Sequence, residues 1–186
     1  NKENSLISGL LKINTKPAHR VAFTNQLIEN NALLLEVVTI AKKNEDKISG
    51  KAARAMELVG VQNITLVLPY IQDIFIISKK NKRDDVIRPM AKIIELLVIK
   101  HFDKKKEISL STYQKEEIIN ICFDWMITPQ KIAPQAHSML ALYFLGYEFD
   151  WVHPELKLIL EQNYAQGSAG YKARSRKILN SLKKQK

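Results

Sequence analysis

The chain has 186 residues, 46% hydrophobic and 26% charged, with a formal net charge of +10. A chain this long buries roughly 70% of the surface its unfolded form exposes, so a single domain over residues 1–186 needs no metal or disulfide to hold together. Its composition excludes a disordered or fibrous polymer. Apolar runs such as Ile74 to Ile77 fall far short of the roughly 20 residues that cross a bilayer, and Cys122 is alone. No membrane segment, no signal peptide and a reducing, cytoplasmic setting are expected.

Apolar residues recur every three or four positions and nowhere alternate strictly, which predicts an all-α chain. In order, the predicted helices are Ser5 to Ile13, Ala18 to Glu29, Ala32 to Lys43, Ile48 to Val59, Ile64 to Ile77, Val86 to Phe102, Tyr113 to Ile127, Ile132 to Leu145, Pro154 to Tyr164 and Ala169 to Leu182. Pro17, Pro89, Pro134 and Pro154 are expected in or beside a first turn, where the missing N–H does little harm. Ser111 with Gln114 reads as a capping box and Asp150 as an N-cap. Gly60 and Gly146 read as left-handed helix ends. Pro69 should kink or split the helix that begins near Ile64.

Alternate helices share a pattern in which a small or branched residue is followed four positions later by Ala, as in Ala18 and Ala22, Ile48 and Ala52, Ile87 and Ala91, Ile132 and Ala136, Ala169 and Ala173. Positions four apart share a helix face, and Ala at the second lets a neighbouring helix come close. The stripe Ile48, Ala52, Ala55, Met56, Val59 also superimposes on Ile132, Ala136, Met139, Leu140, Tyr143 at a shift of 84 residues. In the last helix Tyr171, Ser175, Ile178 and Leu182 compete as the inward stripe. About five helix pairs at an irregular period imply a solenoid in which each pair buries its apolar face by stacking on its neighbours.

Here the chain resembles the HEAT/armadillo class of α-α superhelices. The acidic turn before Ile87 and Arg88, the Ala91 that follows, and the pair Leu68 and Pro69 match the HEAT signature. Four repeats depart from it, with His19, Ser49, Ala133 and Gly170 where the signature has Arg. Longer phrases, Ile87-Arg88-Pro89-Met90-Ala91-Lys92, Cys122-Phe123-Asp124-Trp125, Asp150 through Lys157 and Tyr171-Lys172-Ala173-Arg174, look like a family of short bacterial helical-repeat proteins often labelled adenylosuccinate lyase. The resemblance runs from about Pro17 to Leu182 and implies the superhelical fold. The mobile Ser-Met-Pro-Lys loop of a true lyase is missing, since the only Pro-Met step is Pro89-Met90 inside a helix.

No other chemistry is spelled out. His19, His101, His137 and His153 are scattered, without metal-ligand spacing, and His153 beside Pro154 reads as local structure. Gly167 and Gly170 lie in no phosphate loop, and Cys122 sits on an apolar stripe with Ile118, Ile121 and Trp125, as a buried thiol would. Asp124 and Trp125 bring to mind the HEAT-like DNA glycosylases, which use an Asp and aromatic residues on a concave face, but this Trp falls on the apolar stripe. No catalytic residue, cofactor or metal is assigned.

The charge is concentrated. From Gln162 to Lys186 there are seven basic and no acidic residues, leaving 22 basic against 19 acidic in the other 161. Smaller basic clusters lie at Lys79 to Arg83 and Lys104 to Lys106. If the second helix of each pair lines the inner surface, that surface carries Lys51, Arg54, Arg88, Lys92, Gln135, His137, Lys172 and Arg174. The expected ligand-binding set is Lys51, Arg54, Arg88, Lys92, Lys172 and Arg174. It suits a non-catalytic scaffold for an acidic protein or peptide, with sequence-nonspecific nucleic-acid binding as the alternative. The bland reading is solvated faces with intrahelical pairs, such as Arg54 with Glu57 or Lys92 with Glu95.

Overall fold

The computed structural model describes residues 2–44, 46–80 and 82–184; Lys186, last of the C-terminal cations, lies outside them. Among the described residues there are ten α-helices and no strand: α1 (Lys2–Lys12), α2 (Pro17–Glu29), α3 (Asn31–Lys43), α4 (Asp46–Gln62), α5 (Ile71–Lys80), α6 (Asp84–Phe102), α7 (Thr112–Ile127), α8 (Ile132–Leu145), α9 (Val152–Tyr164) and α10 (Ala169–Lys183). The helical period of the sequence is therefore realised throughout.

Local chemistry sets the ends. Asn30 Oδ1 accepts the N–H groups of Ala32 and Leu33 at 3.1 and 3.2 Å, starting α3, and Asn44, left-handed at φ 59°, stops it. At α7 the Ser111 Oγ accepts from the Gln114 N–H while Gln114 Oε1 accepts from the Ser111 N–H, completing the expected box. Pro69 splits its helix: two 3-10 turns, Ile64–Leu66 and Leu68–Tyr70, precede α5.

Four expected positions change. Trp151, not Asp150, occupies the N-cap of α9, and no side chain caps it. Pro89 falls in the second turn of α6, so the Asp85 carbonyl four residues back receives no N–H from it. Neither Gly60 nor Gly146 is left-handed; α4 runs on to Gln62, and Gly146 has φ −63°. Close approach explains both: a Cβ on Gly146 would stand 2.0 Å from the His153 ring, and one on Gly60 would stand 3.3 Å from Ile64.

The chain divides into two compact units, Asn1–Leu96 and Leu97–Lys186. In the first, α3 and α4 form a hairpin on which α1 and α2 pack, and α5 lies against α3. There α6 runs parallel to α4, since Gly50 faces Asp85 and Gly60 faces Ile93. In the second unit α7 and α8 form the hairpin, α9 packs on both, and α10 packs on α8 and α9.

The buried faces of α3–α6 recur in α7–α10. Leu34, Val37, Val38 and Ala41 of α3 correspond to Ile118, Ile121, Cys122 and Trp125 at an offset of 84. Ala52, Ala53, Ala55, Met56 and Val59 of α4 correspond to Ser138, Met139, Ala141, Leu142 and Leu145 at 86, not the 84 read from the sequence. Val67, Ile71, Ile74 and Phe75 correspond to Val152, Leu156, Ile159 and Leu160 at 85. Val86, Met90 and Ile93 correspond to Tyr171, Ser175 and Ile178, also at 85.

The alanine pattern survives only in part. Ala52, Ile87 and Ala91 are buried, whereas Ala18, Ala22, Ile132, Ala169 and Ala173 are exposed. The physical reason is that larger or better-placed residues claim the contact: Phe23 and Leu27 in α2, Ser138 and Leu142 in α8, Tyr171 and Ile178 in α10. Ala52→Phe overpacks a fully buried position and should cost about 1 to 3 kcal/mol in denaturant titration. Ala173→Phe, on the exposed side of α10, should stay within about 0.5 kcal/mol of the parent.

Candidate binding surfaces

The six expected ligand-binding residues fall into two groups. Lys51 and Arg54 on α4 and Arg88 and Lys92 on α6 belong to the first unit, on two parallel helices in contact. Lys172 and Arg174 lie on α10 in the second unit. Gln135 and His137 are half-buried on α8, against which α10 packs.

Two of the four cations in the first unit are already neutralised. Arg54 Nη1 lies 2.6 Å from Glu57 Oε2, and Lys92 Nζ lies 3.4 Å from Oε1 of the buried Glu95. These i,i+3 pairs realise the bland reading for those two residues. Arg88, which is exposed, and Lys51, which is half-buried, make no ion pair among the described residues.

α10 differs, because it carries five cations and no carboxylate. With Tyr171, Ser175 and Ile178 turned inward, Arg174, Arg176 and Lys177 are exposed. The Arg176 guanidinium donates to the Tyr164 hydroxyl at 3.1 and 3.2 Å, a neutral acceptor that leaves its charge uncompensated. Arg176 and Lys177 were absent from the expected set although the acid-free run from Gln162 pointed to them. What the sequence withheld was which side of α10 faces out.

Beside this helix a cleft of about 560 Å³ opens where the start of α8, the end of α9 and the start of α10 meet. Gln130, Lys131, Gln135, Asn163, Gln166 and Ser168 line it, with Tyr171 at its wall. Burial pushes the Tyr171 hydroxyl above its ordinary pKa, only partly opposed by Asn163 and Ser175, so it is a neutral phenol at neutral pH. Neither Tyr171 Oη nor Ser175 Oγ has a hydrogen bond of standard geometry. In the first unit a groove of about 490 Å³ between α1 and α3 is mainly apolar, lined by Leu6, Ile7, Leu35, Ile40 and Ile48.

Two of the four histidines hold local structure. His101 Nδ1 accepts the Leu110 N–H at 3.1 Å, which puts its proton on Nε2, 3.1 Å from Glu148 Oε1. Lys115 Nζ donates to the other oxygen of Glu148. His153 Nε2 donates to the Tyr143 carbonyl at 2.7 Å while its ring stacks on Tyr143. Cys122 is buried. Trp125 is buried and its neighbour Asp124 exposed, so the two face different sides of α7 and share no cleft. Among the described residues no group of His, Cys, Asp or Glu is placed to hold a metal, and no helix is long and apolar enough to cross a membrane.

Partial burial would raise the Glu148 pKa, but the hydrogen bonds from Lys115 and His101 outweigh it and hold the carboxyl below its ordinary 4.5. A carboxyl depressed on folding stabilises the native state above its unfolded pKa, and that contribution is lost as pH falls through the folded value. Stability should therefore decline as pH drops below 4.5. Glu148→Gln should flatten that part of the pH profile and lower the melting temperature at neutral pH, as thermal scans across the acid range would show.

Comparison with family models, curated proteins and solved structures finds no match to this chain.

Proposed function

We propose that the protein is a non-catalytic HEAT-like binding scaffold that takes an acidic protein or peptide on exposed cations, those of α10 in the second unit above all and those of α4 and α6 within the first. The observation that carries this reading is the charge state of α10, where exposed Arg174, Arg176 and Lys177 have no carboxylate on their own helix. Arg88 and Lys51 on α6 and α4, which make no ion pair among the described residues, add positive charge in the first unit. Arg54 and Lys92 contribute less, because each would have to leave its own glutamate to reach a ligand. Paired helices within each unit and the repeated burial pattern support the scaffold reading.

Polyglutamate peptide is a suitable probe. Binding should be saturable at low salt, and Arg174→Glu with Lys177→Glu should weaken it at least about tenfold, since each reversal turns an attraction into a repulsion. Arg88→Glu with Lys51→Glu should weaken it as well, and Arg54→Ala much less. Helicity and melting temperature should hardly move in any of these variants. Undiminished binding after both double reversals would contradict the reading. Duplex DNA competing with a log–log salt slope near about −0.9 per phosphate would favour nucleic acid as the ligand instead.

A further inference from the structure

The second unit also carries a surface of the opposite character. On α7, Phe123 stacks against Trp151 at the start of α9, with ring centroids 5.6 Å apart and planes 27° from parallel. Trp151 remains 54% exposed, and Ile127, one turn beyond Phe123, is 66% exposed. Asp124 and Asp150, each next in sequence to one of the stacked rings, are exposed and make no side-chain hydrogen bond or ion pair among the described residues. Glu155, one turn after Trp151 on α9, is exposed too. In a chain of net charge +10, the exposed carboxylates next to the stacked pair make this face locally acidic.

We propose that this α7–α9 face is a docking surface for an arginine-bearing basic segment of a partner protein. The accessible indole offers a π-face, and the neighbouring carboxylates supply negative charge. A guanidinium suits both, since it is planar, permanently charged, weakly hydrated and able to stack. Lysine meets the charge requirement but not the stacking one, because its ammonium is compact and strongly hydrated. Nucleic-acid bases would also stack on Trp151, yet Asp124, Asp150 and Glu155 would repel their phosphates. Anionic lipid is disfavoured on the same ground. Its residues lie on α7 and at the start of α9, whereas the cations of the acidic-partner site lie on α10, so the second unit would present opposite charges to two different partners.

The test uses the full chain and short peptides alternating glycine with arginine, lysine or glutamate. Trp125 is buried and Trp151 is not, so a peptide-dependent change in tryptophan emission reports on Trp151. The arginine peptide should bind saturably by calorimetry and alter emission, the lysine peptide should bind at least about fivefold more weakly, and the glutamate peptide should leave emission unchanged. Trp151→Ala should weaken arginine-peptide binding by roughly tenfold and remove the emission change. Asp124→Asn with Asp150→Asn, which leaves the ring stack in place, should weaken binding comparably and guards against a folding defect in Trp151→Ala. Arg174→Glu with Lys177→Glu should leave it undiminished, which separates this surface from the acidic-partner site. Equal affinity for arginine and lysine peptides, undiminished binding by both the tryptophan and the double-asparagine variants, or no saturable binding at all would overturn the proposal.

Discussion

At Gly50 an added Cβ would stand 2.1 Å from the Asp85 carboxylate, and at Gly146 one would stand 2.0 Å from the His153 ring. At both places a side chain of the neighbouring segment lies directly over the glycine backbone, so the missing Cβ is what lets the two pack, and small residues let a helix be approached closely. Along α4 the pattern continues with Ala52, Ala53 and Ala55, all inaccessible, so that α3 and α6 can both lie against one slim helix. In α8 the same role falls to Ser138 and Ala141, with Ser138 Oγ satisfied by donating to the Pro134 carbonyl at 2.8 Å. A hydroxyl bonded back to its own helix is a small group with no unmet polar demand, which is why serine can replace alanine at such a contact.

This constraint decides which residues reach solvent. When Tyr171, Ser175 and Ile178 turn inward, the cations of α10 are carried outward as a set, and the absence of acidic residues on that helix leaves them uncompensated. In the same unit Asp124 on α7 and Asp150 and Glu155 near the start of α9 are exposed, and so is Trp151. Neither surface requires a special backbone; both follow from rotating amphipathic helices until their apolar stripes meet. The polar network at Glu148 ties this unit together differently, joining α6, α7 and the turn before α9 through His101 and Lys115.

Much of the fold was legible because helical periodicity is a local signal. Every predicted helix exists, the Ser111 box forms, and Pro69 divides its segment as its missing N–H requires. What failed was rotation about the helix axis. In α8, Ile132 and Ala136 looked equivalent to Ile48 and Ala52, but the hairpin connection is longer in the second copy, and the inward face belongs to Ser138, Leu142 and Leu145. In α2, alanines at good spacing lost to Phe23 and Leu27, which bury more apolar area. A four-residue spacing names a face without saying which face is inside. Of the six expected ligand residues, Arg88 and Arg174 are exposed and Lys51 and Lys172 half-buried, all without an ion pair among the described residues, whereas Arg54 and Lys92 are held by their own helices. The stacked Phe123 and Trp151 are far apart in sequence and share no period, so only the fold brings them together.

Thiol labelling tests the rotation of α8 and α10 most directly, because the native Cys122 is buried and gives a silent background. Single cysteines would be placed at Ser138, Ala173, Ser175 and Lys177. The account predicts that Ser138→Cys and Ser175→Cys react as slowly as Cys122, while Ala173→Cys and Lys177→Cys react at the rate of an unstructured thiol. Protection at Ala173 together with rapid labelling at Ser175 would turn the cations of α10 toward the core side and contradict the account.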